Sequence, residues 1–208
     1  MLGVVNTIKN QYLCGSCWAF SAIQAAESAY AISTGTLLSF SEQNLVDCVT
    51  LCHGCSGGLM TDAYNYVINH QGGKFNTESE YWYVSFQESC YFDKYEKVGS
   101  ISDYIKISKG DEDDLAIKIE TYGLASVAVD ASSVWFQLYF SGLYDNSDYT
   151  SSNLYHGVGC VGFGEESGTR YWIVRNSWGS LWGENGYIRM IRKDNQCGIA
   201  SWRCILVP

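Results

Sequence analysis

Cys14-Gly15-Ser16-Cys17-Trp18 puts two thiols three residues apart where a long apolar run begins. Cys17 would open a helix there, and the partial positive charge of a helix N-terminus favours the thiolate, the form that attacks an electrophilic carbon. The same spacing occurs in redox and metal sites, so the pentapeptide alone leaves a structural cysteine pair open. A nucleophilic thiol needs a base to accept and later return a proton, and a third group to hold that base. Three histidines are available. His53 lies in a cysteine-rich loop, and His70 ends a helical stretch, where the dipole simply stabilises a cation. His156 follows Cys17 by 139 positions and precedes a strand-like run. Asn176, 159 positions after Cys17, ends another such run, and its amide can accept from an imidazole without adding charge.

The elements that must position these groups fall into two halves. In residues 17–32, polar Ser21, Gln24, Glu27 and Ser28 recur at three- and four-residue spacing among apolar side chains, which predicts a largely buried helix ended by Gly35. Ser39-x-x-Glu42 is a capping-box signal for a second helix, and a third should run from near Leu59 to His70. Four acids at 111–114 favour one more helix start. Strand-like runs follow at 127–129, 158–163, 171–175 and 187–191. Helices first and strands afterwards predict an α+β protein, with a helical lobe over 1–106 and a β-rich lobe over 107–208.

The 208 residues carry a formal charge of −9, which argues against a phosphate-tracking nucleic-acid binder, and no apolar run approaches membrane-spanning length. Nine cysteines, an odd number, leave at least one thiol unpaired in a monomer. Cys48-x3-Cys52-x2-Cys55, with His53 among them, is a spacing that can hold zinc or an iron–sulfur cluster. The opening residues from Met1 lack a basic, apolar leader pattern.

Across nearly its whole length the sequence resembles the papain-like cysteine proteases, the group of papain and the cathepsins. The resemblance is carried by Lys9-Asn10-Gln11, by Cys14 to Trp18, and by Ser41-Glu42-Gln43-Asn44-Leu45-Val46-Asp47-Cys48. It continues through Gly54-Cys55-Ser56-Gly57-Gly58, Tyr155-His156-Gly157, Asn176-Ser177-Trp178-Gly179 and Trp182-Gly183-Glu184-Asn185-Gly186-Tyr187. The runs 130–133 and 136–139 look closest to protozoan parasite members. The resemblance implies a two-lobe fold, helices in the first lobe and an antiparallel, barrel-like sheet in the second, with a cleft between. It implies a cysteine endopeptidase with Cys17 as nucleophile, His156 as acid and base, Asn176 orienting the ring, and Gln11 binding the oxyanion; Trp178 would shield the His–Asn pair. Gly57 and Gly58 would dock substrate backbone, while Leu59, Met60, Ala131, Gly157 and Trp202 would line an apolar pocket for the second residue before the cut. Trp202 is large enough to make that pocket shallow or to close it. The implied disulfides are Cys14–Cys55 and Cys48–Cys90, with no cofactor and no metal.

Departures accompany the matches. Cys197 lacks its expected partner ahead of His156, where Asp148-Tyr149-Thr150-Ser151 stands, and Cys52 and Cys204 are extra thiols that could pair. Cys160 reads as a buried free thiol. These 208 residues begin after the point where the family's N-terminal Asp-Trp-Arg-like stretch and inhibitory propeptide are expected, as a truncated gene model or fragment would; Tyr155 replaces an aspartate and Trp82 a proline. Expected partners are peptide and protein substrates and cystatin-like inhibitors, with no nucleic acid, no membrane and a monomeric state. A pI near 4.7 fits a lysosome-like acidic vesicle or secretion. The competing reading is a catalytically impaired relative that binds peptides.

Overall fold

The computed structural model describes residues 3–147, 149–151 and 153–207; Met1 and Asp148 lie outside them. Helix α1 (Cys17–Thr34) is buried at every position from Trp18 to Ala29, so its polar Ser21, Gln24 and Glu27 all face protein. Gly35, at φ 72°, closes it in the left-handed conformation, where a β-carbon would be strained. Around it pack α2 (Glu42–Cys48) and α3 (Met60–His70). The cap of α2 is Ser41, whose hydroxyl accepts from the Asn44 N–H, and not Ser39. Two residues earlier the chain is still extended, Phe40 bridging to Thr77, so the capping-box spacing at Ser39 is coincidental. Cys14–Cys55 and Cys48–Cys90 form disulfides within this half, each closing a loop of about forty residues.

The second half contains β1 (Tyr104–Lys106), α4 (Glu112–Tyr122), β2 (Ala125–Val129), α5 (Val134–Gln137), β3 (Leu143–Tyr144), β4 (His156–Glu166), β5 (Thr169–Arg175), β6 (Tyr187–Ile191) and β7 (Arg203–Leu206). Asp111 caps α4 by accepting from two N–H groups, as its acidic start predicts. The strands form one sheet in the order β1-β7-β2-β4-β5-β6-β3. The α+β class holds. The sheet is mixed, because β3 pairs parallel with β6, and among the described residues its order ends at β1 and β3 without closing. No described helix is long and apolar enough to cross a membrane.

Two hydrophobic clusters result, one around α1, α2 and α3, the other between the sheet and α4 and α5. β7 serves both: Cys204 and Leu206 pack into the first and Ile205 into the second, as alternation along a strand requires. Along β4, Gly157 and Gly159 face α1. A β-carbon at Gly157 would lie 3.1 Å from the Cys17 carbonyl oxygen, and one at Gly159 would lie 2.4 Å from Gln24 Oε1. Glycine there lets the helix lie against the strand, and Ser21 Oγ donates to the Val158 carbonyl at 2.8 Å across the contact. A buried relay, Tyr64 Oη to Ser126 Oγ (2.7 Å) and on to the Ser21 carbonyl (2.9 Å), ties α3 and β2 to α1, each bond contributing about 1 kcal/mol.

Beneath α1 and α2, Lys9 Nζ meets Glu42 at 2.8 Å, Glu27 at 3.4 Å and Glu78 at 3.8 Å, and also donates to the Phe40 carbonyl. One ammonium among three carboxylates leaves an excess of negative charge in a dry site. Burial therefore pushes the Glu42 carboxyl up to about 8, Lys9 opposing and Glu27 and Glu78 adding to the rise. Burial opposes the Lys9 ammonium, but the same carboxylates outweigh it and raise that group too. Between the ordinary value of 4.5 and about 8, the folded chain holds a proton at Glu42 that the unfolded chain has released, so stability falls as pH rises through that window. The thermal midpoint should accordingly drop from about pH 5 to about pH 8, and Glu42→Gln should flatten the slope; scanning calorimetry across that range measures both.

Candidate active site

Cys17 is the first residue of α1 and its thiol is partly accessible. Burial works against its ionisation. A hydrogen bond from the His156 side chain, the charge of that ring, and the N–H groups of Gly157 and Trp18 outweigh this and hold the thiol below its ordinary value. His156 opens β4 and pairs in register with Val129 of β2, which sets the imidazole opposite the head of α1. Its Nε2 lies 2.7 Å from Asn176 Oδ1, and the same oxygen accepts the Ser177 N–H at 2.8 Å. The second bond fixes which amide atom faces the ring, so Nε2 is the protonated nitrogen and Nδ1 is left toward the thiol. Trp178 lies 4.7 Å from the imidazole, centroid to centroid, and is held edge-on by Phe136 and Trp182. Asn176 is fully buried and His156 only 6% exposed, so water has little access to this pair.

Gln11 comes from the segment before α1. Its Nε2 donates to the Cys14 carbonyl at 2.9 Å, its Oε1 accepts from Ser177 Oγ at 2.6 Å, and its backbone N–H donates to the Ser177 carbonyl. One amide hydrogen is thus engaged and a second remains. The sequence-predicted Cys17, His156, Asn176, Gln11 and Trp178 therefore gather at one place. His53 and His70 do not: His53 is exposed beside a short 3-10 turn, and His70 stacks on Tyr66.

A cavity of about 270 Å³ opens beside the thiol, lined by Gly58, Leu59, Met60, Gly157 and Trp202 among others. Trp202 forms part of the wall and leaves the cavity open. Gly58 has no room for a side chain, since a β-carbon would lie 2.6 Å from Cys52 Sγ and 2.8 Å from the Trp18 ring. Gly57 is outside the lining, its carbonyl turned to accept from His53 N. Ala131 is also elsewhere: it lies beyond the end of β2, buried in the sheet's own cluster, and Ala128 takes its place. Trp18, Leu154 and Tyr155 line the cavity as well, a tertiary juxtaposition with no local signal apart from the neighbours of Cys17 and His156. A larger cavity of about 640 Å³, bordered by Val5, Ile32, Gly123 and Phe163, shares no residue with it.

Residues 2–206 match the profile described as papain family cysteine protease. The chain belongs to the papain family. It is 46% identical over 203 residues to cathepsin L of Sarcophaga peregrina, covering 96% of this chain and 59% of that protein. A cathepsin L-like protein of Caenorhabditis elegans is also 46% identical, at 95% and 59% coverage. The chain thus spans a little over half the length of these curated relatives. Among solved structures, procathepsin L 3 of Tenebrio molitor larval midgut superposes with a TM-score of 0.94 at 39% identity, over 99% of this chain and 67% of that one. The bromelain protease of Ananas comosus, in complex with the E64 inhibitor, gives 0.92 at 36% identity, over 98% and 94%.

In this papain-family chain the remaining cysteines separate cleanly. Cys52 and Cys204 do not pair with each other; both are free, as are Cys160 and Cys197. Cys48 and Cys55 are each committed to a disulfide, which removes two of the three thiols a cluster at that spacing would use. Burial pushes Cys52 up to about 11 and Cys160 and Cys197 up to about 12, and raises Cys204 as well, the opposite direction to Cys17. Iodoacetamide near pH 5 should therefore alkylate Cys17 alone in the folded chain, and His156→Ala should slow that reaction by about tenfold or more, as read by peptide mass mapping against time.

Proposed function

We propose that the chain hydrolyses peptide bonds as a cysteine endopeptidase. The Cys17 thiolate attacks the scissile carbonyl, and the oxyanion that develops is bound by the free Gln11 Nε2–H and the Cys17 backbone N–H. The His156 imidazolium gives its proton to the leaving amine, and a thioester remains on Cys17. Water, surrendering a proton to His156, then adds to the thioester, expels the Cys17 thiolate, releases the acid and restores the thiolate–imidazolium pair. Asn176 keeps the ring in the tautomer that serves both steps, and Trp178 keeps water from competing for the His–Asn bond. The observation that carries this reading is the arrangement of one imidazole between two partners, Asn176 Oδ1 at 2.7 Å on Nε2 and the thiol on the other side.

The apolar cavity beside Cys17 takes the second residue before the cut, with Gly57 and Gly58 offering backbone to an extended substrate. The helical segment 1–106 then supplies the nucleophile and 107–208 the histidine and asparagine. Cystatin-like proteins that fill the same cleft are the inhibitors this reading implies, acting on a monomer. A chain whose stability falls as pH rises suits an acidic vesicle of lysosomal type or an acidic extracellular setting.

A panel of fluorogenic dipeptides tests the proposal. Leucine or phenylalanine at the second position should exceed arginine in kcat/KM by about tenfold or more, because no carboxylate lines the cavity to pair with a guanidinium. Trp202→Ala should move the optimum toward larger apolar residues, and Cys17→Ser should abolish turnover. A folded chain that cleaves none of the panel refutes the proposal.

A further inference from the structure

Tyr83 lies outside the cavity, in the loop fastened by the Cys48–Cys90 disulfide, with its ring set edge-on against Phe20 at 4.9 Å. Its hydroxyl donates to the backbone carbonyl of Gln11 at 2.9 Å. The Ser16 hydroxyl lies 2.7 Å from the same oxygen, and since the phenol proton is already given to Gln11, Ser16 is the donor in that contact. The other acceptor within reach of Ser16, the Cys14 carbonyl, is 3.5 Å away and weak by comparison.

Ser16 occupies the N-cap of α1, where a serine ordinarily accepts from the N–H two or three residues on. Here it makes no such bond, although it is completely buried. The Ala19 and Phe20 N–H groups are served by the Ser16 carbonyl, and the Trp18 N–H is left to the Cys17 thiol. A capping Ser16 hydroxyl would compete for that N–H. One phenol thus does two things: it fixes the backbone of the residue that carries the proposed oxyanion donor, and it turns a natural capping group away from the helix terminus where the thiolate sits.

We infer that Tyr83 is a positioning residue for the nucleophile and the oxyanion site, acting through Ser16 and Gln11. Burial, reinforced by Glu42 and Glu78 and opposed by Ser16, pushes its hydroxyl up to about 12, so it remains a donor throughout the working range. Its own N–H donates to Glu78 Oε1 at 3.1 Å, and Glu78 also faces Lys9, so the loop is tied to the buried charge cluster below α1. The inference rests on the hydrolytic reading above.

Tyr83→Phe keeps the ring against Phe20 and removes only the hydroxyl. It should lower kcat about tenfold with KM changed by less than about twofold, and weaken a peptide aldehyde, whose adduct carries an oxyanion, to a similar degree. Alkylation by iodoacetamide builds no oxyanion: its plateau rate should be retained while its acid limb moves to higher pH, because Ser16 is released to cap α1. Adding Ser16→Ala should return that limb to its original position without restoring kcat. Unchanged kcat and aldehyde affinity in a folded Tyr83→Phe chain overturn the inference and leave the hydrolytic reading standing. An unsubstituted folded chain that neither cleaves peptides nor binds the aldehyde overturns the reading itself. Should Tyr83→Phe not fold, Ser16→Ala alone decides: an unmoved acid limb supports the inference, and a lowered one shows that Ser16 was already capping the helix and refutes it.

Discussion

Gly157 brings the Cys17 backbone against β4 at a separation tighter than a side chain ordinarily tolerates, its missing β-carbon standing 3.1 Å from the Cys17 carbonyl oxygen and 3.2 Å from Met60 Sδ. The thiol belongs to the head of a helix and the imidazole to the start of a strand, and these elements come from opposite ends of the chain. Their alignment is set by close packing, with Gly159 repeating the device two residues on and Ser21 bonding the strand between them. Interiors at crystal-like density transmit small displacements. A helix lifted by a fraction of an ångström would carry the thiol away from the ring, from the Gly157 N–H and from the cavity wall together.

The segment before α1 performs the complementary task. Lys9 is anchored beneath α1 and α2, Asn10 bridges to Trp178, and Gln11 bonds to Ser177 through both backbone and side chain. Arg175 reaches back to the carbonyls of Asn6 and Thr7. Three consecutive residues therefore span the two hydrophobic clusters, with buried charge at one end and the Gln11 side-chain amide at the other. A charge cluster placed so deep is a costly way to hold a segment, because the Lys9 ammonium and the Glu27 and Glu42 carboxylates give up most of their water there.

Much of this was legible in the residues. The periodicity of α1, the acidic start of α4 and the strands β2, β4, β5 and β6 follow from local patterning, and the two disulfides and the cluster of Cys17, His156, Asn176 and Gln11 from the ordered motifs. What escaped depended on tertiary placement. β1, β3 and β7 are too short to show alternation, and β7 looks unremarkable until it is seen between β1 and β2. Ser39 and Ser41 both offer a capping hydroxyl, and only the extended Phe40 chooses between them. Ala131 and Ala128 are alike in chemistry; Ala128 lies within β2 and lines the cavity, while Ala131 lies past the strand's end in the sheet's own cluster. The Ser16–Tyr83–Gln11 chain, joining residues 67 and 72 positions apart, has no signature along the sequence at all.

β7 has a bearing on the order in which the molecule is made. Cys17, His156 and Asn176 all precede Arg203–Leu206 along the chain and are synthesised before it, yet that strand lies inside the sheet and contributes side chains to both interiors. Until it is laid in place, each interior keeps one flank wet. The growing polypeptide thus holds Cys17, His156 and Asn176 for some time without the dry, rigid surroundings that the two finished interiors supply.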